Sequence, residues 1–213
     1  MKNIYVFTGL GADERIFHKI NFGKNTVTHI KWITPTKNET LINYSGRLAK
    51  QITAVNPILI GLSFGGMVAV EVAKLISVEK IILISSAKST AEIPSLYKFA
   101  GKINLHKIVN AKILVKANKL TNKFFAVRST SDKKIISSMI GAADTVFLNW
   151  AINEIVHLQN TFVHPNLVHI HGTADNILPF KYVQANIAVK GGTHLMILNK
   201  ADVVQQHILD AIK

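Results

Sequence analysis

The chain has 213 residues, 48% of them hydrophobic and only 17% charged. It is long enough to build one domain around its own core and too apolar to be disordered. It has no cysteine, which excludes a disulfide scaffold, a thiol nucleophile and any Cys-ligated zinc or iron–sulfur site. A net charge of +13, from 25 Lys and Arg against 12 Asp and Glu, suggests an anionic partner without identifying it.

In chain order, residues 3–8 (NIYVFT) form a short β-rich run that stops at Gly9. Residues 26–33 alternate and are β-branched, predicting a second strand. Residues 39–53 carry Leu41, Ile42, Leu48 and Ile52 near helical spacing. Residues 57–61 (PILIG) are a continuous apolar run, as in a strand buried on both faces. Residues 65–76 then read as an apolar helix. Residues 80–85 (KIILIS), 166–171 (NLVHIH) and 185–189 predict three further strands. Residues 199–212 close the chain with helical spacing at Val203, Val204, His207, Ile208 and Ala211. Strand alternating with helix predicts a mostly parallel sheet covered on both faces, the α/β class.

Between residues 92 and 160 that rhythm breaks. No strand is predicted there. The segment reads as several helices, with a long apolar-periodic piece over 137–158. The predicted organisation is an α/β core from 1–91 and 161–213, with a helical cap inserted at 92–160. Residues 51–70 are uncharged and about the length of a membrane span, but Asn56, Pro57, Gly61, Gly65 and Gly66 interrupt them. A strand, a turn and a helix start explain them better. The first twelve residues lack a convincing cleavage site before Asp13 and Glu14. No membrane span or targeting signal is predicted, and a cytoplasmic location is expected.

The most informative segment is Gly61-Leu62-Ser63-Phe64-Gly65-Gly66, a G-x-S-x-G pattern between a predicted buried strand and a predicted helix. A serine lifted on so tight a turn needs glycine two residues away on each side, where a Cβ would clash. The helix N-terminus beneath it favours developing negative charge. Without those flanking elements, the pattern would be a glycine-rich turn with an incidental serine.

A nucleophilic serine needs a base, and the base needs an orienting acid. Asp175, in HGTADNILP (171–179), follows a predicted strand, although a turn aspartate capping a short helix would look similar. His194, in KGGTH (190–194), follows the last predicted strand on a glycine-rich loop, the best placed of nine histidines. His169 and His171 flank the acid's strand and read as packed or solvated. The backbone N–H groups of Leu10, in the turn after the first strand, and of Phe64, after the serine, are the natural pair for an oxyanion hole.

These pieces resemble the α/β-hydrolase fold, in its small esterase and lipase-like form. The segments that carry the resemblance are FTGLGADERIF (7–17), ILIGLSFGGMVAVEVA (58–73), HGTADNILP (171–179) and GGTHLMI (191–197). The resemblance implies Ser63 as nucleophile, His194 as base, Asp175 as acid and Leu10 and Phe64 as oxyanion donors. It implies about six strands, because the chain starts at the strand before the oxyanion turn. It also implies hydrolysis of an ester or thioester without metal or cofactor. The same triad can serve a C–C bond hydrolase, a lyase or an acyltransferase, or remain in a ligand-binding protein of low turnover. The turn after the first strand lacks an HGGG motif, and serine at the elbow argues against epoxide hydrolases and dehalogenases, which carry aspartate there.

In this resemblance the 92–160 insertion corresponds to the cap over the site, with Phe124, Phe125, Phe147 and Trp150 as candidate pocket residues. The expected substrate is a small acyl compound. Ten Lys and Arg stand between residues 92 and 134 against only Glu92 and Asp132, a net +8. Their spacing of three to five residues suits a solvated helix face, or a docking surface for an acidic acyl carrier protein or a CoA thioester. No nucleic-acid-binding motif accompanies them.

Overall fold

The computed structural model describes residues 1–104, 127 and 129–213. Six strands form one sheet: β1 (Asn3–Phe7), β2 (Thr26–His29), β3 (Ile58–Leu62), β4 (Lys80–Ile84), β5 (Leu167–Gly172) and β6 (Ile187–Val189). Their order is β2-β1-β3-β4-β5-β6, and every neighbouring pair is parallel. The chain runs outward from β1 to β2, then returns to β3 and builds the other way. The order therefore reverses between β1 and β3, the point where open α/β sheets place their ligands.

Alternation along the strands divides the core in two. Ile4, Val6, Ile58, Ile60, Ile82 and Ile84 face one side, and Tyr5, Phe7, Leu59, Ile81 and Leu83 the other. Both sides are covered, so β3 is buried at all five positions. Each fully buried Ile or Leu contributes roughly 1.5–3 kcal/mol. The first side is closed by α6 (Met196–Asn199), α7 (Ala201–Ile212) and Ile136 and Met139 of α4 (Thr130–Ala142). The second is closed by α1 (Leu41–Ala49), α2 (Phe64–Val72) and α5 (Thr145–Val156). One more helix, α3 (Ser95–Lys102), precedes the undescribed segment.

Six strands and a mostly parallel sheet are what the sequence predicts. The boundaries differ for local reasons. β2 stops at His29 rather than residue 33, because the Gln51 side chain takes both the N–H and the carbonyl of Lys31. β6 begins at Ile187 rather than 185: the Asn186 side chain accepts from His169 N–H, and its own N–H donates to the His169 carbonyl. α1 starts at Leu41 because the Thr40 hydroxyl accepts the Asn43 N–H. The closing helix is two pieces, broken at Lys200 (φ −135°).

The apolar piece over 137–158 is likewise two helices, α4 and α5, bent by 98°. Asp144 causes the break by accepting the Val146 N–H and starting α5 anew. α5 is not suspended over the sheet, since Phe147, Leu148 and Ala151 are buried in the second core. Among the described residues no single helix is long and apolar enough to cross a membrane.

Candidate active site

Ser63 stands between β3 and α2 with φ +52° and ψ −122°, a conformation an L-residue adopts only under constraint. Three glycines make the turn possible. A Cβ on Gly61 would lie 2.3 Å from Gly66 Cα, one on Gly65 2.2 Å from the Thr8 carbonyl oxygen, and one on Gly66 2.3 Å from Ser86 Oγ. β1, β3 and β4 therefore crowd the elbow from three directions. The Ser63 N–H donates to the Ile84 carbonyl, and the buried Ser86 hydroxyl donates to the Ser63 carbonyl at 2.6 Å. These bonds fix the turn from the β4 side.

The loops after β5 and β6 bring the other two groups to the serine. They meet back to back where Gly172 approaches Gly192, and a Cβ on Gly172 would lie 2.2 Å from the Gly192 carbonyl oxygen. Ala174 N–H donates to that same carbonyl, Thr173 N–H to the Val189 carbonyl, and Gly191 N–H to the Thr173 hydroxyl. Asp175 and His194 are thus held on two loops stitched into one unit. His194 Nδ1 lies 2.8 Å from Asp175 Oδ2, and His194 Nε2 lies 2.9 Å from Ser63 Oγ. A carboxylate accepts only, so Nδ1 carries the hydrogen and Nε2 is free to accept from the hydroxyl.

Asp175 is buried. Its Oδ1 accepts the N–H groups of Ile177 and Leu178 at 2.8 and 2.9 Å. Burial raises its pKa, but the charge and hydrogen bond of His194, the Leu178 N–H and His171 outweigh that, and the net position is below the ordinary carboxylate range. The acid is therefore ionised at neutral pH.

The turn after β1 passes beside the serine: a Cβ on Gly9 would lie 3.6 Å from Ser63 Cβ. Thr8 shapes it, donating its hydroxyl to the Ala12 carbonyl and accepting from Trp32 Nε1, both at 2.8 Å. Leu10 follows in this turn, and Phe64 opens α2, where the first N–H groups have no partner within the helix.

A cavity of about 210 Å³ adjoins that turn, bordered by Gly11, Ala12 and Asp13, by Trp32, Ile33 and Thr34, and by Met139, Ala143, Asp144 and Phe147 of the α4–α5 region. Among the described residues, Phe147 is the one predicted pocket residue on its wall. Trp150 is not on that wall. Its ring packs on Tyr44 with centroids 4.3 Å apart, and its Nε1–H donates to the Glu39 carbonyl. It therefore joins α5 to α1. Phe124 and Phe125 lie outside the described residues, as do Lys107, Lys112, Lys116, Lys119, Lys123 and Arg128 of the basic stretch.

His171, expected from the sequence to be packed or solvated, is packed. Its ring is fully buried, with Nε2 3.3 Å from Asp175 Oδ2 and 2.8 Å from the Leu178 carbonyl oxygen. It stands four residues before the acid, near the end of the acid's own strand.

No protein-family model and no curated protein sequence matches the chain. Solved structures do. A bromoperoxidase from Bacillus anthracis is 16% identical, covers 99% of this chain and 91% of its own, and superposes with a TM-score of 0.70. An esterase from Exiguobacterium antarcticum is 14% identical over 99% of this chain and 91% of its own, with a TM-score of 0.71. A hydrolase from Pseudomonas aeruginosa is 14% identical over 99% and 89%, with a TM-score of 0.75. At such identities the likeness is one of architecture, and together with the parallel six-stranded sheet it makes the chain an α/β-hydrolase-fold protein.

Proposed function

We propose that the chain is a serine hydrolase that cleaves a carboxylic ester or thioester through an acyl-enzyme on Ser63. The observation that carries this reading is the continuous path from Asp175 through His194 to Ser63 Oγ, 2.8 and 2.9 Å per step. In this reading Ser63 Oγ attacks the acyl carbon while His194 Nε2 takes its proton. The oxyanion forms against the N–H groups of Leu10 and Phe64, each worth roughly 3–4 kcal/mol in the transition state. His194 returns the proton to the leaving alcohol or thiol. Water, deprotonated by the same nitrogen, then attacks the acyl-serine and releases the acid. Asp175 holds the imidazole in the required tautomer and stabilises its charged form.

The cavity of about 210 Å³ beside Gly11 has an apolar wall in Phe147 and Trp32 that would suit a short acyl or alcohol group; Ser63, Asp175 and His194 are not among the residues that line it.

A fluorophosphonate probe tests the reading. Wild-type protein is expected to label stoichiometrically at Ser63, and Ser63→Ala to lose labelling and ester hydrolysis while keeping its far-ultraviolet spectrum. Labelling that persists at another serine overturns it.

A further inference from the structure

The turn that carries Leu10 is tied down by a side chain from the loop after β2. Trp32 Nε1–H donates to Thr8 Oγ1, and the Thr8 hydroxyl donates to the Ala12 carbonyl, both at 2.8 Å. An indole nitrogen only donates and a carbonyl only accepts, so the direction of both bonds is fixed. The Ala12 N–H returns to the Gly9 carbonyl at 3.1 Å. Segment 8–12 is thus closed on itself twice, and its outer tie is the indole. Thr8 is buried, so losing either partner would leave a polar group unsatisfied away from solvent.

The turn has little stiffness of its own. Leu10 lies between Gly9 and Gly11, and Gly11 has φ +70°. Among the described residues, the Leu10 N–H donates to no protein group. An oxyanion donor contributes only if it is in place before the charge develops, and two glycines do not hold it there. The indole can, because it is itself held. Its ring lies 5.1 Å from that of Phe147 and 5.8 Å from that of Phe64, centroid to centroid. Phe64 carries the second donor. Trp32 therefore touches both donor segments: one through Thr8, the other through a ring contact.

We propose that Trp32 is a positioning residue for the oxyanion hole: its indole N–H, acting through Thr8 Oγ1, holds turn 8–12 where the Leu10 N–H meets the oxyanion formed on Ser63. The proposal deepens the serine-hydrolase reading and rests on it.

Side-chain variants reach a backbone donor that substitution cannot remove. Trp32→Phe keeps a ring against Phe147 and Phe64 and deletes the N–H. Thr8→Val deletes the hydroxyl at nearly equal volume, and Thr8→Ser restores it. Removing one oxyanion donor outright costs about 10²- to 10³-fold in kcat, so a displaced donor should cost less. Trp32→Phe and Thr8→Val are each expected to lower kcat by about 10- to 100-fold with KM changed less than about threefold. Thr8→Ser should stay within about threefold of wild type. The double variant should fall less than about twofold below Thr8→Val alone, because both changes break the same tie. A short-chain trifluoromethyl ketone, which adds Ser63 Oγ and places an oxyanion in the hole, separates positioning from general damage. Its inhibition constant should rise in step with the loss of kcat, while that of the matching secondary alcohol, which forms no oxyanion, should hold.

Full activity in both Trp32→Phe and Thr8→Val overturns the proposal, as does equal weakening of ketone and alcohol. If Thr8→Val does not fold, Trp32→Phe with the same two inhibitors decides. A wild-type protein that neither hydrolyses esters nor labels at Ser63 overturns the serine-hydrolase reading instead. Amide hydrogen exchange at Leu10, expected to quicken in Trp32→Phe, then still decides whether the indole holds the turn.

Discussion

Ser63 occupies a backbone conformation that costs on the order of 1–3 kcal/mol, held by the Ile84 and Ser86 hydrogen bonds and by the close approach of Gly65 to β1. The G-x-S-x-G spacing makes that turn legible in the sequence, since only glycine fits beside such a serine. The acid is legible by its place: Asp175 follows a predicted strand, and Asp202 lies in the closing helix. The fold agrees with that choice, for Asp175 is buried against His194, whereas Asp202 is exposed in the first turn of α7. Asp175→Asn is accordingly expected to lower kcat by about 10⁴, because the imidazole is then held in the wrong tautomer. Asp202→Asn should leave kcat within twofold. Steady-state ester hydrolysis by both variants checks the assignment, and the reverse pattern would show that the wrong acid carries the role.

β5 is where an element does more than its sequence discloses. NLVHIH reads as one more buried strand, and alternation sends His169 and His171 to the same side. What alternation does not disclose is that they meet no water there. Burial, then the neighbouring His171 and Lys88, lowers the pKa of His169 to about 3, against an unfolded value of about 6.5. The folded state therefore binds fewer protons than the unfolded chain between these two values, so stability falls as pH drops through that window. The sign is opposite to that of a histidine stabilised by an anion. The slope due to this one ring is at most about 1.4 kcal/mol per pH unit. Urea midpoints between pH 7 and pH 4 should show the loss. His169→Gln, which does not titrate, should have a flatter profile. An unchanged profile would mean that His169 does not remain neutral on folding. The α4–α5 break is a second case: hydrophobic spacing alone runs through Asp144, and the break comes from its side-chain hydrogen bond to Val146 N–H.

Across the whole molecule, charge is the property with the longest reach. The net +8 between residues 92 and 134 is fixed by composition, whatever path the chain takes there. If this stretch steers an anionic acyl carrier or CoA thioester, kcat/KM for that substrate should fall as salt rises, because screening shortens to about 8 Å at physiological salt, while a small neutral ester should not respond. Changing Lys112, Lys116 and Lys119 to Glu should lower kcat/KM for a CoA thioester and spare the neutral ester. Stopped-flow or steady-state assays over a salt series read both effects, and equal loss on both substrates would indicate damage to the fold rather than lost attraction. The sequence alone determined the α/β alternation, the six strands and the serine turn, because periodicity and glycine spacing are local consequences of sterics. It also picked out Ser63, Asp175 and His194 by their places after predicted strands. Only the tertiary structure decided that the loops after β5 and β6 meet at Gly172 and Gly192, that Trp150 packs on Tyr44 instead of lining the cavity, and that His171 is buried beside Asp175 with its Nε2 bonded to the Leu178 carbonyl. Those contacts join residues distant in the chain, or turn on burial, and both depend on how the sheet closes around its core rather than on any local pattern.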